Sequence, residues 1–260
     1  MTTLKDILDS VAQDDRLDQD VLLLGGTTRH HVEFLSEFGV NEISVNPYGV
    51  HYVDLGDVKL NFRSFPGPFE PDYFTSIGPR VAKSLVVHFL DAFEALRAAQ
   101  TEEIIFQRVT RQLKPWIDEF PEAQRVAVVF DVAKVDYNVK SVPQIEFLQQ
   151  LVRLIMMNYN GSTVYHQRGQ TRSNFRSLLL DSPDIRIEDF DAIFVPYGTD
   201  SIGKIRIIND KFECEQNLEK WNRWQSPPSL SESETSHPVQ KTANLRQKYQ
   251  DFLKGIFTAV

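Results

Sequence analysis

The segment VLLLGGTTRHHVEFLSEF, residues 21–38, decides the fold. Residues 21–24 are a short apolar run of the kind that forms a buried strand, and Gly25 and Gly26 end it with a turn. Apolar side chains then recur at near-helical spacing over residues 30–38, which predicts a helix. A strand, a glycine turn and a helix in this order provide the context of a phosphate-binding loop, so the segment can be compared with that motif.

Nucleotide-binding loops follow the pattern G-x-x-x-x-G-K-[ST], of which this chain keeps only the first position, Gly25. His30 replaces the second glycine, His31 the lysine, and Val32 the Ser or Thr. A side chain at position 30 crowds the space for phosphates, a mostly neutral histidine lacks the lysine's charge, and valine offers Mg²⁺ no oxygen. We therefore predict a degenerate loop, including Gly26, that does not bind Mg-nucleotide tightly, although the helix N-terminus leaves weak anion binding open.

Two further GTPase motifs are partly lost. Residues 64–67, SFPG, stand where GTPases place Asp-x-x-Gly, so the glycine remains and the acid is missing. Strand 126–130 is soon followed by AKVD, residues 133–136, near the position of the guanine-reading Asn/Thr-Lys-x-Asp motif. Lys134 and Asp136 can be interpreted as a vestigial base loop. We favour the alternative of an ordinary charged surface loop, since a base loop has little use without phosphate contacts.

The rest of the chain alternates apolar runs with amphipathic segments, as α/β proteins do. This order predicts a Ras-like, mostly parallel six-stranded sheet flanked by helices, with a C-terminal extension. We expect Pro115 to lie near a break in the helical region 93–120, His88 to be a satisfied core histidine, and Asp131 to cap or serve a loop. The predicted strands are 21–24, 50–55, 58–62, 84–90, 126–130 and 163–166.

The sequence changes character after residue 170. We predict a Ras-like domain at 1–170 and an appendix packed on it at 171–225, containing a helix at 175–180 and strands at 192–195 and 205–208. Residues 226–240, rich in Ser, Pro and Glu, read as a flexible linker, and residues 241–260 as a C-terminal helix. The appendix aromatics either pack it onto the domain or anchor a partner; as partner-binding candidates we name Tyr197, Trp221 and Trp224.

Composition and residue spacing disfavour several classes of function. The 260 residues carry a net charge of −8, which disfavours binding to nucleic acid or an anionic membrane. One cysteine, Cys214, permits no internal disulfide, and no apolar run approaches the ~20 residues that cross a bilayer, so we expect a cytosolic protein. Histidine and cysteine spacings match no zinc site, and no G-x-S-x-G elbow is present. We expect no metal, no cofactor and no enzymatic activity.

Two segments resemble the dynein light intermediate chains. Residues 21–38 align without gaps to that family's strand, phosphate loop and first helix. Residues 189–221, DFDAIFVPYGTDSIGKIRIINDKFECEQNLEKW, look like the family's signature beyond its Ras-like domain. The resemblance extends over roughly residues 15–256, and the degenerate loop is similar to that of fungal members.

This resemblance implies a Ras-like domain that docks on the dynein heavy-chain tail and a C-terminal region that can reach cargo adaptors. It also implies a cytoplasmic, microtubule-associated, non-catalytic subunit of the motor. Two alternatives stay open. One is a pseudo-GTPase scaffold in another assembly, since a fold does not fix a function. The other is a working GTP-binding switch, which would rest on Lys134 and Asp136.

Overall fold

The computed structural model describes residues 17–40, 50–69, 84–135, 142–180, 186–189 and 192–224. Asp136, the linker predicted at 226–240 and the helix predicted at 241–260 lie outside the described residues. In chain order the elements are β1 (Leu17–Gly25), α1 (Thr28–Glu37), β2 (His51–Asp54), β3 (Val58–Phe65), β4 (Leu85–Asp91), α2 (Ala92–Leu96), α3 (Glu102–Glu119), β5 (Arg125–Phe130), α4 (Val142–Asn158), β6 (Gly161–Tyr165), α5 (Thr171–Leu180), β7 (Arg186–Asp189), β8 (Ala192–Val195), α6 (Ile202–Arg206) and α7 (Cys214–Arg223).

The described strands form one sheet in the order β2-β3-β1-β4-β5-β6-β8-β7. β3, β1, β4, β5 and β6 are mutually parallel, and β2 pairs antiparallel with β3. This is the predicted Ras-like arrangement of six strands. The sheet exceeds the prediction by two strands, because β8 adds antiparallel to β6 and β7 adds antiparallel to β8.

Helices cover both faces of the sheet, which explains why its central strands are apolar throughout. Every residue of β5 is buried, and β4 is buried up to its last residue. In β1, Val21 and Leu23 pack with Phe34 of α1, whereas Leu22 and Leu24 pack with Trp116 of α3. Because successive side chains of a strand point to opposite faces, this run secures helices on both sides of the sheet.

The helical region 93–120 divides into two helices, as the sequence suggested, but the break does not lie at Pro115. It lies at residues 97–101, where Thr101 caps α3 by accepting a hydrogen bond from the amide of Ile104 at 3.4 Å. Pro115 sits inside α3, four residues before that helix ends. Our expectation about Pro115 was therefore wrong; the apolar face of α3, buried on the sheet, outweighs the one lost hydrogen bond.

The strand predicted at 205–208 is also wrong, because α6 occupies residues 202–206. Two residues of one strand that are two apart would share a face. Instead Ile205 is fully buried and Ile207 is 82% exposed. Ser201 caps the helix by accepting a hydrogen bond from the amide of Lys204 at 3.3 Å. The alternating isoleucines indicate a strand, so the sequence pattern did not predict this cap.

Two buried polar contacts hold the segment 192–224 to α4 and its end. Arg153 of α4 donates two hydrogen bonds of 2.8 Å to the carboxylate of Asp200, and these side chains are 1% and 6% exposed. Trp221 of α7 is fully buried and donates its indole N–H to the Tyr159 hydroxyl at 3.0 Å. The segment 192–224, called the extension below, is therefore part of the protein core and does not merely pack on its surface.

The core contains a histidine without a hydrogen-bond partner among the described residues. His88 of β4 is 1% exposed, as expected of a core histidine, yet neither ring nitrogen has a hydrogen-bond partner among the described residues. Burial, with a contribution from the nearby Arg125 guanidinium, lowers the pKa of His88 to about 3. The side chain is neutral and unsatisfied, which corrects the prediction of a satisfied histidine. None of the described helices is long and apolar enough to cross a membrane.

Candidate functional site: the degenerate phosphate loop and its surroundings

The turn between β1 and α1 requires glycine because of its backbone conformation and because of contacts within the protein. No ligand is needed to explain these glycines. Gly25 and Gly26 have φ of +75° and +61°, in the left-handed region that disfavours other residues. A Cβ on Gly26 would lie 2.9 Å from the Cβ of Phe89 and 3.0 Å from Nδ1 of His30. The space that the missing side chain leaves is therefore filled by the protein's own side chains.

His30 lies where the motif's second glycine would allow phosphates to approach. Its side chain is fully buried and stacks on Phe130, with ring centroids 4.7 Å apart. Nδ1 accepts a hydrogen bond from the amide of Thr27 at 3.2 Å, and the Thr27 hydroxyl accepts from the amide of His30 at 3.4 Å. This reciprocal capping box satisfies helix donors that a phosphate-binding loop would offer to its ligand.

His31, at the lysine position, turns back to the loop. Its Nε2–H donates to the carbonyl of Gly25 at 2.7 Å, and its ring packs edge-on against Phe89. Burial lowers the pKa of His31 to about 4, so the side chain is neutral at physiological pH. A neutral ring bonded to the loop's own backbone supplies no charge to a phosphate. Val32, at the Ser/Thr position, is 39% exposed.

The loop after β3 is bound to the same turn. The amide of Gly67 donates to the carbonyl of Gly26 at 2.9 Å. In GTPases the corresponding glycine amide reaches the γ-phosphate, whereas here the donor is taken by the neighbouring backbone. Ser64, at the position of the lost acid, is fully buried and its hydroxyl has no partner among the described residues.

Asp131, directly after β5, is the residue around which the ion pairs of this region form. It adopts φ of +61° and its side chain makes no capping hydrogen bond, so of the capping or loop role predicted for it the structure shows the loop role. Its carboxylate pairs with Arg29 and with Lys134, the latter at 2.9 Å, and lies 3.3 Å from Nε2 of His30. Burial alone would raise the pKa of Asp131, but hydrogen bonds from Arg29, Lys134 and His30 outweigh it and lower the pKa to about 2.

One group among the described residues has the composition of a metal site: His30, Asp91 and Asp131. Its present contacts oppose a metal. Since Nδ1 of His30 accepts from Thr27, the ring proton lies on Nε2, the atom that faces both carboxylates. The guanidinium of Arg29 also pairs with the carboxylate of Asp131, so a cation already occupies this space.

The predicted base-loop residues have separate outcomes. Lys134 lies on a 3-10 turn, residues 132–134, is half exposed and pairs with Asp131. Asp136 lies outside the described residues. Beside Lys134 a cavity of about 450 Å³ opens between this turn and the loop after β6, at the carboxyl ends of two parallel strands. Ligands of open α/β sheets bind in crevices of this kind.

The three aromatic residues named as partner-binding candidates differ in accessibility. Tyr197, just after β8, is 58% exposed, and Trp224 is half-buried. Trp221 is fully buried against Tyr159, and the ammonium of Lys114 lies 5.3 Å from its ring centre. Trp221 therefore packs the extension onto α4 and presents nothing to a partner, which corrects the partner-binding role suggested for it.

The residues that carry this site were only partly visible in the sequence. Arg29 and Asp91 received no role there, because no motif covers them and their contacts to Asp131 and His30 join different strands. A single signal was available: both Asp91 and Asp131 directly follow apolar strands. Carboxyl ends of neighbouring parallel strands meet at one edge of a sheet, so these acids had to lie close together.

Comparison with solved structures identifies the fold. No protein-family profile and no curated sequence matches the chain. Among solved structures, the conserved domain of a dynein light intermediate chain superposes with a TM-score of 0.58 at 17% identity, over 90% of this chain and 98% of that one. The predicted resemblance is thus matched by the structure, and at this identity the match establishes a shared Ras-like fold.

Two GTP-binding proteins are more distant. A nucleolar GTP-binding protein 1 from Plasmodium falciparum has a TM-score of 0.40 at 12% identity, over 65% of this chain and 88% of that one. The translation elongation factor SelB from Methanococcus maripaludis has a TM-score of 0.38 at 11% identity, over 67% of this chain and 37% of that one. Scores this low support no argument about function.

Proposed function

We propose that this chain is a non-catalytic, nucleotide-independent subunit of the cytoplasmic dynein motor that binds the heavy-chain tail. One observation carries the proposal. On a fold shared with a dynein light intermediate chain, the loop that would hold phosphates is satisfied by the chain's own groups. A domain that needs no nucleotide to complete this loop is suited to a constant structural role.

The absence of switching is part of this proposal. In a GTPase, two switch loops, one of them after β3, are ordered by the γ-phosphate and its Mg²⁺ and are released on hydrolysis. Here the amide of Gly67 is bonded to the carbonyl of Gly26, and Arg29 of α1 is paired with Asp131 beyond β5. These contacts directly join the loop after β1, the loop after β3 and the residue that follows β5. The domain would therefore hold one conformation, and it would have no enzymatic activity.

The partner surface is proposed on the C-terminal extension. Tyr197 is a large exposed aromatic side chain in the segment that resembles the family's signature, and exposed aromatics are frequent anchors of protein interfaces. A stable complex with the heavy-chain tail would bury at least ~1,000 Å². We also propose that residues after Trp224 reach cargo adaptors, which would link the motor to cargo in the cytoplasm.

The test is a pull-down of the full chain with a dynein heavy-chain tail fragment, with the eluate assayed for nucleotide. We expect co-purification without bound nucleotide. Tyr197→Ala should weaken the association, whereas Tyr52→Ala, a change at a 78% exposed tyrosine on the edge strand β2, should not. Failure of the wild-type chain to bind the tail would refute the dynein assignment and leave a pseudo-GTPase scaffold of another assembly as the alternative.

A GTP-binding switch is the second alternative, and the same eluate decides it. Stoichiometric nucleotide in the purified chain would contradict the loop geometry described above. Unchanged tail binding in both tyrosine variants would instead place the interface elsewhere on the domain.

A further inference from the structure

A cavity of about 270 Å³ lies between the first turn of α3 and the residues 211–220, which comprise the loop before α7 and most of that helix. It is smaller than the ~300–1,000 Å³ pockets that hold most small-molecule ligands, so it is suited to a single side chain. Among the described residues, its lining shares none with the degenerate phosphate loop and none with the partner-binding candidates named above.

Three phenylalanine rings form the apolar part of the lining. Phe106 belongs to α3, Phe147 to α4 and Phe212 to the loop before α7, and most of each ring is buried in the core. Phe147 and Phe212 pack edge to face, with ring centroids 5.5 Å apart. An aromatic ring attracts a cation that lies over its face, so a lining of this kind favours a positively charged group.

The chain's own Lys220 already makes such a contact at the wall of the cavity. Its ammonium lies 6.0 Å from the centre of the Phe106 ring and 3.2 Å from a carboxylate oxygen of Glu103. Both charged side chains are about half exposed, so this ion pair is weak and can be exchanged for one with another cation.

The polar part of the lining carries more carboxylates than cations. Besides the pair of Glu103 and Lys220, it contains Glu102 and Glu213, neither of which has an ion-pair partner among the described residues, and one further cation, Lys211. Asn217 donates its amide N–H to the carbonyl of Glu213 at 2.9 Å, which leaves its side-chain oxygen free to accept. The net charge of the chain, −8, also attracts cations at long range.

We propose that this cavity binds an arginine side chain of a partner protein. A guanidinium is planar and weakly hydrated, stacks on aromatic rings and pairs with carboxylates through several N–H groups, so it matches this lining better than an ammonium does. It would pack on the phenylalanine rings and donate to the carboxylates of Glu102 and Glu213. Arginines seated in small pockets are frequent anchors of protein interfaces. The inference does not depend on association with dynein.

The experiment uses the full chain, isotopically labelled and followed by two-dimensional NMR of its backbone amides. The probe is N-acetyl-arginine amide, and the control is the citrulline derivative, which has the same shape without the charge. We expect the arginine probe to shift the amides of residues 211–217 in a saturable way, while those of β2, at the edge of the sheet, stay unchanged. The citrulline derivative should bind at least about fivefold more weakly, because it loses both the cation–π and the ion-pair contributions.

Lys220 provides a test with an unusual sign. Lys220→Met keeps the hydrocarbon stem beside Phe106 and removes the competing ammonium, so it should strengthen binding of the arginine probe about threefold. Arg223→Met is the matched control, since it removes one positive charge from the same helix. Its guanidinium pairs with Glu219 on the surface outside the cavity, so the affinity should stay as in the wild type.

A further variant tests the carboxylates. Glu213→Gln, at an exposed position, should weaken binding of the arginine probe about threefold. The inference fails if the probe shifts no amide of residues 211–217 up to its solubility limit, if the citrulline derivative binds equally well, or if Lys220→Met weakens the binding. Tighter binding of N-acetyl-glutamate amide than of the arginine probe would show that the cavity selects anions and would refute it as well.

Discussion

The loop at Gly25–His31 and the extension at residues 192–224 are stabilised in opposite ways. The loop is closed by hydrogen bonds between residues on adjacent turns and strands, several of them to its own backbone. The extension is held to α4 by a buried ion pair and a buried indole, which join residues 47 and 62 positions apart. A loop that has lost its ligand can thus be completed largely by bonds within itself and one from the loop after β3, whereas an added segment needs long-range contacts in the core.

The largest effect should come from breaking the ion pair of the extension. Asp200→Ala leaves the guanidinium of Arg153 buried without a carboxylate, so the free energy of unfolding should fall by about 3–5 kcal/mol in chemical denaturation. The matched control is Glu215→Ala. Glu215 pairs with Arg206 on the surface, with side chains 70% and 42% exposed, and its loss should cost at most about 1 kcal/mol. Equal costs would mean that apolar packing alone holds the extension.

The loop can be tested sterically at Gly26. Gly39→Ala, at φ of +80° and in open space, should cost only the left-handed backbone strain, about 1–2 kcal/mol. Gly26→Ala carries the same strain and in addition pushes a Cβ against Phe89 and His30, which should add about 1–3 kcal/mol. Denaturation of both variants measures the difference. If the two cost the same, His30 does not fill this space in solution.

A third prediction concerns acid. The pKa of His88 is lowered to about 3 in the folded protein from an ordinary 6.5, so below pH 6.5 only the unfolded state takes up this proton. Stability is lost as the pH falls, by about 2 kcal/mol between pH 6.5 and pH 5 from this residue. His88→Leu should remove that part of the slope, with no hydrogen bond lost among the described residues.

The comparison of unfolding free energies at pH 7.5 and pH 5, for the wild type and for His88→Leu, checks this prediction. His31, whose pKa is lowered to about 4, contributes a similar loss over pH 6.5 to 4 and remains in both proteins. An unchanged acid slope in His88→Leu would show that His88 is protonated in the native state.

The smallest effect is expected from restoring two motif residues. His31→Lys combined with Val32→Thr should not produce measurable GTP binding in a titration calorimeter. His30 still fills the loop, Ser64 still replaces the acid, and the amide of Gly67 is still bonded to Gly26. Micromolar GTP affinity in this double variant would show that the loop was lost through those two positions alone.

Most of the sheet could be predicted from the sequence because its strands are short, apolar and separated by glycine or proline turns. The extension was harder. Residues 205–208 alternate like a strand, but Gln150 donates to the carbonyls of Ile205 and Asn209, and this contact from α4 fixes a helix and turn there. The hydroxyl of Ser201, which caps that helix, was the one local signal available.

The candidate site, too, could be predicted from the sequence only in part. The sequence by itself determined that the phosphate loop is degenerate, since residue types at Gly25, His30, His31 and Val32 decide the chemistry that a backbone loop can offer. Only the tertiary structure decided what replaced the ligand: His30 under Phe130, His31 on the Gly25 carbonyl, and Arg29 on Asp131. The contacts to Phe130 and Asp131 join α1 to the end of β5, about 100 positions away in the sequence, and their geometry follows from the parallel register of the sheet, which no local pattern encodes.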